Sequence, residues 1–229
     1  MPAFRGFPEG TLRFLDELEA NNRREWFDEN KERYKAEVRE PALDFITAMA
    51  TPLAGLSEHF VAVPKKVGGS LMRVYKDTRF SRDKTPYKTN IGIQFRHETG
   101  KDVHAPGYYV HIESSECFLG VGLWHPESEP LAAIRSRIAE RSSEWKKVRD
   151  QKGFARTFSL GGTSLTRPPR GFAPDHPCIE DIKRRDFIAG YDFPAIQIHS
   201  KDFVKQVTTA FKSASPFMKF LCQALDLPF

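Results

Sequence analysis

The chain has 229 residues, of which 40% are hydrophobic and 28% charged, with a formal net charge of +5. Its 19 Phe, 6 Tyr and 3 Trp supply ample surface for a packed core and exclude disorder as the main state. The 15 Gly and 16 Pro follow no period, which excludes a collagen-like chain. No apolar run approaches the roughly 18 to 20 residues that span a bilayer, so no membrane partner is expected. Met1-Pro2-Ala3-Phe4-Arg5 does not read as a signal peptide. Cys117, Cys178 and Cys222 are odd in number and widely spaced, which suits neither a disulfide framework nor a CxxC metal pair. The expectation is a reduced, cytoplasmic protein with no cofactor. The modest basicity permits a polyanionic partner without demanding one.

In chain order, the first elements read as helices. Phe14, Leu15 and Leu18, with Leu12, form an apolar stripe after Thr11, the expected N-cap. Asn21-Asn22 breaks it, and Asn22 with Glu25 has capping-box spacing, which predicts a second helix from Arg23. Pro41 kinks that helix or starts a third, which carries Leu43, Phe45, Ile46 and Met49 and stops near Pro52 to Gly55. Ten acids and seven bases over residues 9–40 read as a solvated helix face. Short β-rich runs follow at Phe60–Val63, Ile91–Phe95, Tyr108–Ile112 and Cys117–Trp124, the last two joined as a hairpin by Ser114-Ser115-Glu116. Pro130 is expected to open a helix with Leu131, Ile134 and Ile138, and another lies around Trp145 to Val148. Residues 153–200 read as irregular with a strand at Ala195–Ile198, and Ser215-Pro216 opens a C-terminal helix. The pattern predicts one α+β domain over residues 1–229, helical at 9–58, sheet-rich at 60–125, helical and irregular at 127–229.

The strongest local signal is charge. Residues 65–88 carry eight bases (Lys65, Lys66, Arg73, Lys76, Arg79, Arg82, Lys84, Lys88) and two acids, Asp77 and Asp83, so this segment alone holds +6 of a chain whose total is +5. Arg73 and Arg79 can each present a planar fork to a phosphate or carboxylate, Lys84 and Lys88 add point charges, and Tyr75 and Tyr87 add hydroxyl donors. Gly68-Gly69-Ser70 can bring backbone N–H groups close to an anion. Three readings compete. The two aspartates can pin a long loop, the bases can hold an anionic, phosphorylated small molecule, or they can contact nucleic-acid phosphates, the last being the least favoured. A second basic segment, Ile182-Lys183-Arg184-Arg185-Asp186-Phe187, either folds over the first or forms a separate loop and surface helix.

Strand alternation divides the hairpin. Tyr108, Val110, Ile112, Leu119, Val121 and Leu123 face the core with Ile91, Ile93 and Phe95. The other face carries Tyr109, His111, Glu113, Gly120, Gly122 and Trp124, with Gly92, Gln94 and Arg96. Glycines there suggest close approach of a ligand or another backbone. The face is read either as a shallow pocket walled by Arg96, Tyr109, His111, Glu113 and Trp124, or as a surface on which a helix packs. His111 and Glu113 are the candidate acid/base pair of an enzyme acting on a phosphate-bearing substrate. With His125 or His104 they would make two histidines and a carboxylate, but the spacing is common by chance and no metal is expected. No nucleophile or phosphate-loop motif accompanies them.

The long motif Arg73-Val74-Tyr75-Lys76-Asp77-Thr78-Arg79-Phe80-Ser81-Arg82-Asp83-Lys84-Thr85-Pro86-Tyr87-Lys88-Thr89 is flanked by further matching features. These are Phe14-Leu15, Leu18, Asn21-Asn22, Trp26-Phe27, Gly107-Tyr108-Tyr109, Gly120-Val121-Gly122-Leu123-Trp124, Arg167 to Phe172 and Asp175-His176-Pro177. In these the chain resembles the family defined by domain of unknown function number 2461, over nearly its whole length. The resemblance implies one domain and a soluble intracellular protein, and it brings no activity or catalytic residue with it.

Overall fold

Apolar side chains at helical spacing build the N-terminal layer. The computed structural model describes residues 4–79, 81–100 and 105–229. In it, α1 (Gly10–Ala20) buries Phe14, Leu15 and Leu18 and ends at Asn21. Thr11 is not its cap. It lies buried in the first turn and its hydroxyl donates to the Glu37 carbonyl at 2.6 Å. The acceptor sits in a π-helical turn, Lys35–Arg39, which follows α2 (Arg24–Glu29) and α3 (Lys31–Tyr34). No capping bond forms at α2, because Asn22 is turned toward a distant partner described below. The π turn runs without a break into α4 (Glu40–Ala54), with Pro41 in the first turn of α4.

The sheet contains β1 (Phe60–Val61), β2 (Ile91–His97), β3 (Gly107–Ile112) and β4 (Cys117–Leu123). After α5 (Ser128–Glu140), α6 (Ser142–Arg149) and α7 (Lys152–Thr157) come β5 (Ser159–Leu160), α8 (Ile179–Ile182) and β6 (Phe187–Asp192). A 3-10 helix (Ala195–His199), α9 (Phe203–Ser213) and α10 (Ser215–Ala224) complete the chain. Strand order is β1-β2-β3-β4-β6-β5, and each neighbouring pair is antiparallel. This is an α+β domain with helices at both ends of the chain around an antiparallel sheet. Among the described residues no helix is long and apolar enough to cross a membrane.

The alternation read from the sequence sets the core face. Ile93, Phe95, Tyr108, Val110, Ile112 and Leu123 are fully buried, and Leu119 and Val121 nearly so. α4 lies on β1 and β2, and α10 lies on β4. Aromatic contacts join sheet to helix and helix to helix, with ring centroids 4.7 Å apart for Tyr108 of β3 and Phe211 of α9 and 5.1 Å for Trp145 of α6 and Phe220 of α10. Gly122 has φ +114°, and a Cβ there would lie 2.0 Å from the Phe187 carbonyl oxygen, so β4 approaches β6 too closely for any side chain at this point.

Three expectations change. Ala195–Ile198 is a 3-10 helix rather than a strand. Pro194 begins it, Gln197 N–H donates to the Pro194 carbonyl at 2.9 Å, and Ile198 is buried while Ile196 is exposed. Two strands, β5 and β6, lie in the segment read as helical and irregular. Phe187 and Ala189 do alternate inward, but the charged run before them and the glycine at 190 conceal a strand. The helix expected from Pro130 opens two residues earlier, at Ser128.

Candidate anion-binding site

The basic segment is a hairpin-like arm fixed at its base. Ser70-Leu71-Met72 extends the β1 edge of the sheet along β2, with Gln94 N–H donating to the Ser70 carbonyl at 2.8 Å and Met72 N–H to the Gly92 carbonyl at 2.9 Å. The chain then folds on itself. Lys76 N–H donates to the Pro86 carbonyl at 2.9 Å and Lys88 N–H to the Val74 carbonyl at 2.7 Å, which sets Tyr75 opposite Tyr87. Tyr87 is buried and stacks on Phe27 of α2, with centroids 4.1 Å apart. The Asn22 carboxamide binds both its backbone groups, donating to the carbonyl at 2.9 Å and accepting from the N–H at 3.0 Å.

The tip of the arm is closed by its own aspartates. Arg79 donates to both oxygens of Asp77, Nε at 2.9 Å and Nη2 at 2.6 Å. Lys76 donates to Asp83 at 2.9 Å and to Thr85 at 2.8 Å, and Lys84 donates to the Thr78 carbonyl at 2.8 Å. These bonds hold both carboxyls below the usual aspartate range, Asp77 mainly through Arg79 and Asp83 mainly through Lys76. Arg79 and Lys84 therefore brace the tip.

Below the tip, a cleft of about 590 Å³ opens between the N-terminal helices and residues 66–75. Its bases are Lys31 of α3, Arg39 of the π turn, Lys66, Arg73 and Arg96, and no carboxylate lines it among the described residues. Glu40 pairs with two of them, 2.7 Å from Arg39 and 3.9 Å from Lys66. Arg73 and Lys31 form no ion pair among the described residues. Lys88 is half-buried near Arg73, and its ammonium is pushed below the usual lysine range by burial and then by the Arg73 charge. The cleft's apolar lining includes Phe27, Tyr34, Leu71, Met72, Val74 and Tyr75. Burial raises the Tyr34 phenol to about 12, against the opposing Arg39 charge, so it is a neutral donor at physiological pH. Gly68, with φ +70°, turns the backbone at the lip.

The other expected site residues lie elsewhere. His111 and Glu113 belong to a hydrogen-bonded row on the outer sheet face. The Thr89 hydroxyl donates to Glu113 at 2.6 Å, Glu113 lies 3.4 Å from His111 Nε2, and the Tyr109 hydroxyl lies 3.1 Å from His111 Nδ1. Phe118 stacks on the imidazole at 4.7 Å. Burial, followed by the charges of Glu113 and Glu116, raises the Tyr109 phenol to about 12. This row adjoins the cleft through Gln94, which pairs with Tyr109 in register, but does not line it. Trp124 lies past the opposite end of β4, half-exposed and stacked on His125 at 4.3 Å. His125 binds the buried Asp186 at 2.8 Å instead of joining His111 and Glu113, and His104 lies outside the described residues. Among the described residues no cluster of three ligating side chains is placed to hold a metal. The second basic segment is tied to α8, Lys183 to Glu180 at 3.0 Å and Arg184 to Asp181 at 3.4 Å, and does not line the cleft.

The structure thus brings Arg73, Tyr75 and Arg96 to one cleft, with Lys88 beside Arg73. Lys31, Tyr34 and Arg39 were hidden in what reads as a solvated helix face. Their signal, an excess of bases at 31, 33, 35 and 39, is ordinary for a surface helix and becomes distinctive only beside the arm.

No curated protein and no solved structure matches the chain. A family model described as conserved hypothetical protein (DUF2461) matches residues 10–220, from the start of α1 into α10 and through the whole arm and sheet. On that match the chain belongs to the conserved hypothetical protein family DUF2461.

Proposed function

We propose that the protein binds a small phosphorylated anion in the cleft, held by Arg73, Lys31 and Arg96, with Lys88 and Lys66 adding charge and Tyr75 a hydroxyl. The observation that carries this reading is the cleft's lining of five bases and no carboxylate among the described residues, an excess that Glu40, paired with Arg39 and Lys66, offsets only in part. Like charges gathered at one place repel, and an anion converts that repulsion into binding. The volume, about 590 Å³, lies within the range of small-molecule sites. That favours a small molecule over nucleic acid, whose phosphates need bases spaced along a surface. The buried, unpaired thiols of Cys117, Cys178 and Cys222 suit a reducing compartment, which supports a cytoplasmic location.

Titration calorimetry with inorganic pyrophosphate tests the reading. Wild type should bind, and Lys31→Ala with Arg73→Ala should weaken binding at least tenfold without lowering the melting temperature. Equal affinity in both proteins, or no binding by wild type, overturns it. A second reading makes the protein an enzyme on that anion, with His111 as acid/base. It is favoured by the Thr89–Glu113–His111–Tyr109 row next to Gln94, and a bell-shaped pH–rate profile lost in His111→Ala would support it.

A further inference from the structure

The cleft's apolar side is as informative as its charge. Four large apolar side chains are exposed among the described residues: Val67, Tyr75, Trp124 and Ile196. Two of them, Val67 at 88% and Tyr75 at 50%, line this one cleft. Exposed apolar groups that cluster rather than scatter mark a surface with a missing partner. Tyr75 also continues an aromatic wall, 5.4 Å from Tyr87 and 6.4 Å from Phe27 between centroids, with Tyr34 5.1 Å from Phe27. An inorganic anion has no use for such a wall. Its charge would meet the bases and leave Val67 and Tyr75 in water.

We infer that the ligand is a phosphate ester with an apolar or aromatic body, its phosphate on Arg73 and Lys31 and its body against Tyr75 and Val67. This rests on the anion-binding reading and deepens it. Neither a second protein copy nor a peptide is needed, because the bases and the apolar wall share one small-molecule-sized cleft. The body contributes by burying apolar area and by offset stacking on the Tyr75 ring.

At mildly alkaline pH, where both are dianions, phenyl phosphate and inorganic phosphate differ chiefly in that body, so parallel titrations there separate the two claims. Wild type should bind phenyl phosphate at least tenfold more tightly than inorganic phosphate. Tyr75→Ala should bring the two within about threefold, weakening phenyl phosphate far more than inorganic phosphate, which loses only the hydroxyl contact. Val67→Ser, at a side chain too exposed to support the fold, should narrow the gap in the same direction. Equal affinity of wild type for both probes overturns the inference and leaves the anion site standing. A preference for phenyl phosphate that neither variant reduces also overturns it. Binding of neither probe removes the anion reading as well. A dimer in solution that Val67→Ser converts to monomer would assign the apolar groups to a second copy and overturn the inference.

Discussion

The Asn22 carboxamide makes the same two hydrogen bonds to the Tyr87 backbone that a neighbouring strand would make, at 2.9 and 3.0 Å, across 65 positions of sequence. Through this contact the N-terminal helices hold the base of the basic arm, and the cleft between them keeps its shape. Asn22→Ala would leave the N–H and carbonyl of a buried residue unpaired. The expected loss is about 2–3 kcal/mol in urea denaturation. Hydrogen exchange at the Tyr87 and Lys88 amides should accelerate more than exchange in β3, since the arm loosens before the sheet.

Lys88 separates a structural from a binding role for the arm's charge. Its ammonium is half-buried, has no ion-pair partner among the described residues, and lies near Arg73. Because its folded pKa is depressed, the unfolded chain holds more protons between the two values, and stability rises as pH climbs through that window. Lys88→Met removes this cost. Its stability at neutral pH should equal or exceed wild type, within about 0.5 kcal/mol. Pyrophosphate affinity should nonetheless fall severalfold. A variant that melts well below wild type would make Lys88 a structural residue.

Asp186 is the opposite case, a buried carboxylate that is fully engaged. It is 1% exposed and accepts from Thr163 N–H, the Thr163 hydroxyl and His125 N–H, each at 2.9 Å. Burial alone would raise its pKa, but these donors and the His125 ring outweigh burial and hold it below the usual aspartate value. A lowered folded pKa means that the stabilisation is complete above the unfolded value and is lost as pH falls through the folded one. Asp186→Asn should cost about 2–4 kcal/mol at neutral pH, judged by the worth of charged hydrogen bonds. Stability curves measured from neutral pH downward should converge with wild type in acid.

Gly122 holds β4 against β6 at a φ of +114°, and a Cβ would meet the Phe187 carbonyl at 2.0 Å. Gly122→Ala therefore combines backbone strain with a clash against main chain. The expected loss is at least about 3 kcal/mol, and the melting temperature should fall accordingly. Gly68→Ala should cost less, about 1 kcal/mol, because its φ is positive but no atom lies within 4 Å of the added carbon.

The central hairpin of the sheet was legible from the sequence because strand alternation is local. Tyr108, Val110 and Ile112 against Leu119, Val121 and Leu123 needed only the pleat, and the structure buries them. The arm's anchor was not legible. Asn22 and Glu25 have the spacing of a capping box, but Tyr87 offers Asn22 two backbone groups from far along the chain, and two bonds to a buried partner outweigh one at a solvated helix end. Charge density located the arm, though not which cations are engaged. Asp77 and Asp83 occupy Arg79 and Lys76 at the tip, and to Lys66, Arg73 and Arg96 the cleft adds Lys31 and Arg39, which in sequence look like any helix surface. Ala195–Ile198 misleads because two isoleucines alternate there, while Pro194 favours a tight turn.

The most direct measurement is a crystal structure of the full chain soaked in pyrophosphate. The expected result is an anion in the cleft with oxygens within hydrogen-bond distance of Arg73 and Lys31. An anion held at the tip by Arg79 and Lys84, or a cleft that stays empty at saturating pyrophosphate, would contradict the central claim.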